Sequence, residues 1–318
     1  MKALTYHSYG DRSVLALEDL PDPGAPRSGD VRVRVHSSSV NPVDGKVRRG
    51  ELKLIAGGHF PKRPGLDFSG EVQAIGEDVS GVAVGDAVYG AARSMSEGAF
   101  AEYALVHATA IAKQPSKIDQ CTAAGVPTVA IAALQALRDI VKVSVGDRIL
   151  VNGCTGGVGI FAMQLAKRAG AIVTGVCGTE GVALARELGA DAVVDYKRGA
   201  VLGDNTKYRG ILELSGKLSF DAAQESLDEH GLYVDFSPSP AALIGNTLAN
   251  PFRSKKHVFA MTAAKTADLE FIAREIDDGR LRPAPARVFP LERFADAFAL
   301  AEGGGVLGKV VVRVRTDA

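Results

Sequence analysis

At 318 residues the chain is too long for one core of ordinary size, and at roughly 150 residues per domain it calls for two. Its 46% hydrophobic and 23% charged residues are those of a globular protein, and 37 basic side chains against 37 acidic ones leave nothing to draw it to a polyanion, which argues against nucleic acid. Met1 to Asp11 lacks the apolar core of a signal peptide. The most apolar stretch, Cys121 to Leu137, is broken by Pro127 and falls short of the roughly 20 residues that span a bilayer, so a cytoplasmic protein without membrane contact is expected.

In chain order, the first hundred residues alternate short strand patterns with Gly/Pro turns. Strands are predicted at Ala3 to Tyr6, Val31 to Val35 (strict period two), Gly70 to Ile75, Asp86 to Tyr89 and Phe100 to Val106. This reads as a small barrel-like β domain. Near residue 120 the pattern changes: a helical stretch from Ala123 to Val141 is followed by strand Arg148 to Asn152, a glycine-rich turn and helix Ile160 to Ala169. Strands at Ala171 to Cys177, Ala192 to Asp195, Gly210 to Leu214 and Leu232 to Phe236 alternate with helices at Val182 to Leu188 and Ser219 to Leu227, the signature of a doubly wound parallel α/β sheet. A strand at Val258 to Met261, helices at Ala267 to Asp278 and Leu291 to Ala301, and a last strand, Lys309 to Val314, complete the chain. Periodicity does not say which domain the last strand joins.

The turn Gly153-Cys154-Thr155-Gly156-Gly157-Val158-Gly159 lies between a buried strand and a helix, where a pyrophosphate can approach helix N-terminal N–H groups only if no Cβ intervenes. Two registers fit, Gly153/Gly156/Gly159 and Gly157/Gly159/Ala162. Spacing alone equally describes an ordinary tight turn; the strand before, the helix after and a second strand ending about 20 residues on favour dinucleotide binding. That second strand ends Val176-Cys177-Gly178-Thr179 without the acid that holds ribose hydroxyls in NAD sites. Thr179, Tyr196, Lys197 and Arg198 can surround a 2′-phosphate, which points to NADPH, with NADH as the alternative; Lys197 and Arg198 read equally as a solvated loop. Glu180 stands against NADPH, since a like charge about 4 Å from a phosphate costs roughly 1 kcal/mol in water and about 4 at an intermediate dielectric.

An ordered set of motifs carries a family resemblance. Asn41-Pro42-Val43-Asp44-Gly45-Lys46 through Gly50, Pro64-Gly65-Leu66-Asp67-Phe68-Ser69-Gly70, Val84-Gly85-Asp86 through Gly90, and Gly98-Ala99-Phe100-Ala101-Glu102-Tyr103 come first. The glycine turn, Leu188-Gly189-Ala190-Asp191, Val194-Asp195-Tyr196 and Gly308-Lys309-Val310-Val311 follow. Together they resemble the zeta-crystallin-like quinone oxidoreductase branch of the medium-chain dehydrogenase/reductase superfamily. The resemblance implies an α/β fold with a Rossmann doubly wound parallel sheet and a GroES-like β-barrel catalytic domain, divided as 1–122, 123–258 and a return at 259–318, with the last strand going back to the N-terminal domain. It implies a homodimer that uses NADPH to reduce quinones or the C=C bond of α,β-unsaturated carbonyl compounds in the cleft between the domains. To the cofactor site it assigns Gly153, Thr155, Gly156, Gly157, Val158, Gly159, Cys177, Thr179, Tyr196, Met261, Gly308 and Lys309.

Zinc-dependent relatives have a Cys ligand shortly before the first helix and a His-Glu pair in the next loop, where this chain has Asn41 and Leu66-Asp67. The three cysteines, Cys121, Cys154 and Cys177, form no CxxC pair, and the six histidines show no ligand spacing, so no metal site is expected. Without a Lewis acid, reduction of an already electrophilic acceptor is the easier chemistry, and charge developing on its carbonyl oxygen needs a donor. The resemblance puts Asn41 near nicotinamide and substrate, and Lys46 stands where many relatives carry Tyr, able to give a proton or hydrogen bond. Asn41 reads equally as a turn-former before Pro42, while Lys46 reads more readily as an exposed helix lysine than as a donor. Departures from the family are Ala132 for a threonine facing the nicotinamide, Gly178-Thr179-Glu180-Gly181 for the usual phosphate loop, and Ser237-Pro238-Ser239-Pro240 after the fifth strand. Two other readings stay open: a pathway-specific enoyl reductase and a non-catalytic NADPH-binding protein.

Overall fold

Val31, Val33 and Val35 are fully buried while Arg32 and Arg34 between them are half-buried on the other face, so period-two patterning builds the longest strand of the first unit. A computed structural model of the chain describes residues 1–315 except 204, 238–244, 247 and 285. Strands β1 (Lys2–Thr5) and β2 (Ala16–Asp19) pair antiparallel; β3 (Asp30–Val40), helices α1 (Pro42–Arg48) and α2 (Lys53–Ala56), then β4 (Asp67–Ile75), β5 (Ala87–Ala91), β6 (Tyr103–His107), β7 (Ile111–Lys113) and α3 (Gln120–Ala124) follow. The predicted helix from Ala123 to Val141 is in fact interrupted. It stops after α3, restarts as α4 (Pro127–Gln135) and widens to a π turn at Ala136–Val141, because Pro127 disfavours helical geometry in the residue before it.

The second unit then runs β8 (Arg148–Asn152), α5 (Gly157–Arg168), β9 (Ile172–Cys177), α6 (Val182–Glu187), β10 (Ala192–Asp195), β11 (Tyr208–Glu213), α7 (Phe220–Ala223), β12 (Leu227–Asp235) and β13 (Lys256–Phe259). After it come α8 (Thr266–Asp277), β14 (Ala286–Pro290), α9 (Phe294–Gly303) and β15 (Lys309–Arg313). The chain divides into Met1–Thr128 with Ala264–Ala318, and Val129–Ala263. These divisions fall a few residues after 122 and 258, because α3 packs on β3 and β4 and belongs with them, and Ala263 exchanges two hydrogen bonds with Gln135 of the second unit.

The second unit is a six-stranded, wholly parallel sheet in the order β10-β9-β8-β11-β12-β13. The strand order reverses between β8 and β11, the switch point at which open α/β sheets take ligands beyond the carboxyl ends of their strands. Ile149, Leu150 and Val151 of β8 are all fully buried, as a central parallel strand covered on both faces requires. On one face Leu150, Val176 and Ile211 pack with Phe220, Leu227 and Tyr233.

The first unit holds a seven-stranded, mainly antiparallel sheet in the order β14-β15-β3-β4-β5-β7, with β6 also paired to β3. The last strand therefore pairs with β3, Val310 opposite Val40, and β14 lies parallel to it through the crossover α9. Strands β2, β7 and β14 were not predicted from the pattern. The fold class is the expected one: a Rossmann-type parallel sheet with a GroES-like antiparallel domain.

Candidate active site

At the carboxyl end of β8 the chain turns through Gly153, whose φ of +93° is open to glycine and strained for other residues. The N–H groups of Gly153 and Cys154 both donate to Val176 O of β9 at 3.0 Å, tying the turn to the neighbouring strand. A Cβ on Gly159 would stand 2.3 Å from Gly153 O and 2.6 Å from the backbone of Cys154, so the first turn of α5 packs directly on the loop. Gly156, the N-cap of α5, is extended (φ −80°, ψ 175°), and a Cβ there would meet only Gly153 O at 3.5 Å. The three glycines divide the work as tight turn, open approach and close helix packing. That selects the register Gly153/Gly156/Gly159 over Gly157/Gly159/Ala162. The first helical bond from the cap runs from Ile160 N to Gly156 O, which leaves the N–H groups of Gly157, Val158 and Gly159 ahead of the intrahelical ladder.

Thr155 is buried and its Oγ1 would lie 2.9 Å from a Cβ on Gly181, which accounts for glycine there. Cys154 and Cys177 interact through their thiols, and burial pushes both up, away from the thiolate form that a nucleophilic cysteine needs. Beyond Cys177, three of the polar residues expected around a 2′-phosphate, Thr179, Lys197 and Arg198, pair with the carboxylates of Asp195 and Glu180. Thr179 Oγ1 donates to Asp195 Oδ2 at 2.6 Å, Arg198 Nε lies 3.5 Å from the same oxygen, and Lys197 Nζ donates to Glu180 Oε1 and Oε2 at 2.8 and 3.0 Å. The hydrogen bond from Lys197 holds the Glu180 carboxyl below its usual range, and Glu180 raises Lys197 in turn. A Cβ on Gly178 would meet Glu180 Oε2 and the Tyr196 hydroxyl at 3.2 Å each and Lys197 Cε at 3.4 Å. Met261, just past β13, is exposed. Pro238, Ser239 and Pro240 lie outside the described residues.

In the first unit, β3 delivers Ser39 and Asn41 to a buried polar cluster that includes Lys309, which the pairing of β15 with β3 places beside Asn41. Lys309 Nζ donates to Asn41 Oδ1 at 2.6 Å and to Val40 O at 3.2 Å, and stands 3.6 Å from Asp67 Oδ2. Asn41 Nδ2 donates to Asp67 Oδ2 at 2.9 Å and to Ser39 O at 3.5 Å. An ammonium only donates and an ionised carboxylate only accepts, so these partners fix which end of the amide is which. The sequence suggested Asn41 as a catalytic group near the substrate; here both its donors are used inside the protein, and what it retains is acceptor capacity on Oδ1. Lys309, expected against the cofactor, also orients Asn41. Lys46 is half-buried on α1 and takes no part in these bonds.

Sequence reasoning missed the carboxylates. Asp67 Oδ2 also accepts from Ser39 Oγ at 2.9 Å and its Oδ1 from Thr128 N at 2.7 Å. Asp44 accepts from Asn41 N at 2.7 Å and Gly65 N at 3.0 Å. Burial nevertheless pushes the Asp44 carboxyl from 3.8 up to about 6, and burial lowers Lys309 against the pull of Asp67 and Asp44. Asp44, Asp67 and Lys309 belong to three separate motifs of the chain, and nothing local in the sequence says that three charges share one core. Among the described residues no group of three or more His, Cys, Asp and Glu side chains is gathered to hold a metal ion. Where a zinc ligand set would need a thiolate and an imidazole, Asn41 and Leu66 offer neither, and the ammonium beside Asp67 repels a divalent cation. The residues do not fit zinc.

Two family models match the chain: an alcohol dehydrogenase GroES-like domain over residues 27–116 and a zinc-binding dehydrogenase over 188–312. The chain is 32% identical to a chloroplast envelope quinone oxidoreductase homolog of Arabidopsis thaliana, over 98% of both chains. It is 33% identical to a chloroplastic NADPH-dependent alkenal/one oxidoreductase of the same plant, over 98% of this chain and 79% of that one. The solved structure of the quinone oxidoreductase from Coxiella burnetii superposes with a TM-score of 0.88 at 31% identity over 99% of both chains.

Proposed function

Since this chain belongs to the zeta-crystallin-like quinone oxidoreductase branch of the medium-chain dehydrogenase/reductase superfamily, we propose that it uses NADPH, with NADH as a second cofactor, to reduce quinones or the C=C bond of α,β-unsaturated carbonyl compounds without a metal. The carrying observation is the glycine turn, with Gly156 left open at the head of α5. Gly153, Thr155, Gly156, Gly157, Val158 and Gly159 would hold the pyrophosphate, and Cys177, Thr179 and Tyr196 the adenosine end, with Met261, Gly308 and Lys309 completing the set. When bound, the reduced nicotinamide supplies hydride.

This chain's own groups have to bind and orient the acceptor and meet the charge that develops on its oxygen. In this reading Lys46 is the donor to that oxygen. Asn41, its amide held by Lys309 and Asp67, offers an acceptor of fixed direction to a hydroxyl or amide of the bound molecules. The protein is proposed to work in the cytoplasm as a homodimer. Among the described residues no helix is long and apolar enough to cross a membrane.

The test is oxidation of NADPH by a panel of quinones, free enones and enoyl thioesters, followed by the loss of reduced-nicotinamide absorbance. Turnover of quinones or free enones is expected. Turnover of thioesters alone would replace this reading by a pathway-specific enoyl reductase, and binding without turnover on any acceptor by a non-catalytic nucleotide-binding protein.

A further inference from the structure

Four polar side chains converge where β9 ends. Glu180, Tyr196 and Lys197 close over Gly178, and Thr179 is turned to Asp195. In a dinucleotide-binding sheet the end of the second strand is where the 2′ position of the adenosine ribose is read, by a carboxylate for a hydroxyl or by cations for a phosphate. This chain places one of each there and joins them: Lys197 Nζ lies 2.8 and 3.0 Å from the two Glu180 oxygens. The remaining cation, Arg198, is 3.5 Å from Asp195, so the two positive and two negative charges balance within the cluster.

We propose that the Glu180–Lys197 ion pair is the specificity-determining element for the cofactor's 2′ position, which lets the protein accept both NADH and NADPH while limiting its preference for NADPH. The proposal rests on the dinucleotide reading above. A 2′-hydroxyl can donate to Glu180 with the pair intact. A 2′-phosphate must draw Lys197 away and then faces the freed Glu180 carboxylate, so the attraction of one residue is offset by the repulsion of the other. The side chains are 68% and 47% exposed, which makes both positions replaceable without disturbing the fold.

The experiment is a fluorescence titration of NADH and NADPH against the wild type, Glu180→Gln and Lys197→Met, with no acceptor present. Wild-type dissociation constants within about tenfold of each other are expected, since the charges at the site cancel. Glu180→Gln keeps an acceptor for the hydroxyl but removes the repulsion, so NADPH tightens about tenfold while NADH stays within about threefold. Lys197→Met weakens NADPH about tenfold and leaves NADH within about threefold. Equal changes for the two nucleotides in either variant, or none for both, would overturn the proposal while leaving dinucleotide binding intact. Failure of the wild type to bind either nucleotide would overturn the dinucleotide reading itself.

Discussion

Replacing Gly156 and, separately, Gly159 by alanine distinguishes a turn built for a ligand from one built for the fold. At Gly156 the backbone is extended, and an added Cβ makes one ordinary contact, 3.5 Å from Gly153 O. Alanine at an N-cap costs up to about 1 kcal/mol, while the stiffer unfolded chain returns roughly 0.4–1 kcal/mol. Stability should change by less than about 0.5 kcal/mol and Tm by no more than about 2 °C. The same methyl group stands where a pyrophosphate would reach the first N–H groups of α5. Losing two hydrogen bonds to charge at about 1.5 kcal/mol each weakens NADPH roughly 100-fold. At Gly159 the Cβ would sit 2.3 Å from a carbonyl oxygen, so backbone must move. There the fold should lose about 3 kcal/mol and Tm about 6–12 °C. Thermal denaturation and a nicotinamide fluorescence titration on the same samples read both quantities. A Gly156→Ala protein of unchanged Tm that binds NADPH within about threefold of the wild type would refute pyrophosphate binding at this turn.

Two further outcomes follow from the buried cluster. Asp44 keeps a proton in the folded chain up to about pH 6 but loses it near 3.8 when unfolded. Between those values the folded state binds more protons, so its stability contribution falls as pH rises, by about 3 kcal/mol in all. Urea unfolding from pH 4 to 7 should show this loss in the wild type and a flatter profile in Asp44→Asn; an identical slope in both would remove Asp44 as its source. Lys309→Met leaves Asn41 without its donor and Asp67 without a nearby ammonium, at a cost of about 3–5 kcal/mol at neutral pH. Part of that should return near pH 5, where Asp44, no longer faced by the ammonium, carries its proton, and a loss independent of pH would point to packing alone.

What was legible in the sequence was what is local. The strand at Arg148–Asn152, the glycine turn and the helix that ends at Arg168 announce themselves in one short continuous stretch, and the period-two valines of β3 need no partner to be recognised. The registers Gly153/Gly156/Gly159 and Gly157/Gly159/Ala162 were separable only by asking what a Cβ at each glycine would strike. The polar cluster was not legible, because Lys309 reaches Asn41 across 268 positions and only the pairing of β15 with β3 brings them together. β14 escaped notice for a related reason: Ala286–Pro290 is short, ends in proline and becomes a strand only because β15 lies beside it. The Glu180–Lys197 pair lies between these cases. Both residues were visible as candidates, but whether they oppose or neutralise each other depends on the turn after β9 and on Tyr196 N bonding to Cys177 O.

The stitching of β15 to β3 also orders the birth of the molecule. Val129–Ala263 is one continuous stretch whose six strands are all present before α8 is synthesised, so it can fold while the ribosome is still extending the chain. The first 128 residues have no such freedom. Until Lys309–Arg313 emerges, β3 shows an unpaired edge from Ser37 to Val40, beyond its pairing with β6, and Asp67 lacks the lysine that stands beside it, so the earlier part is the one finished last.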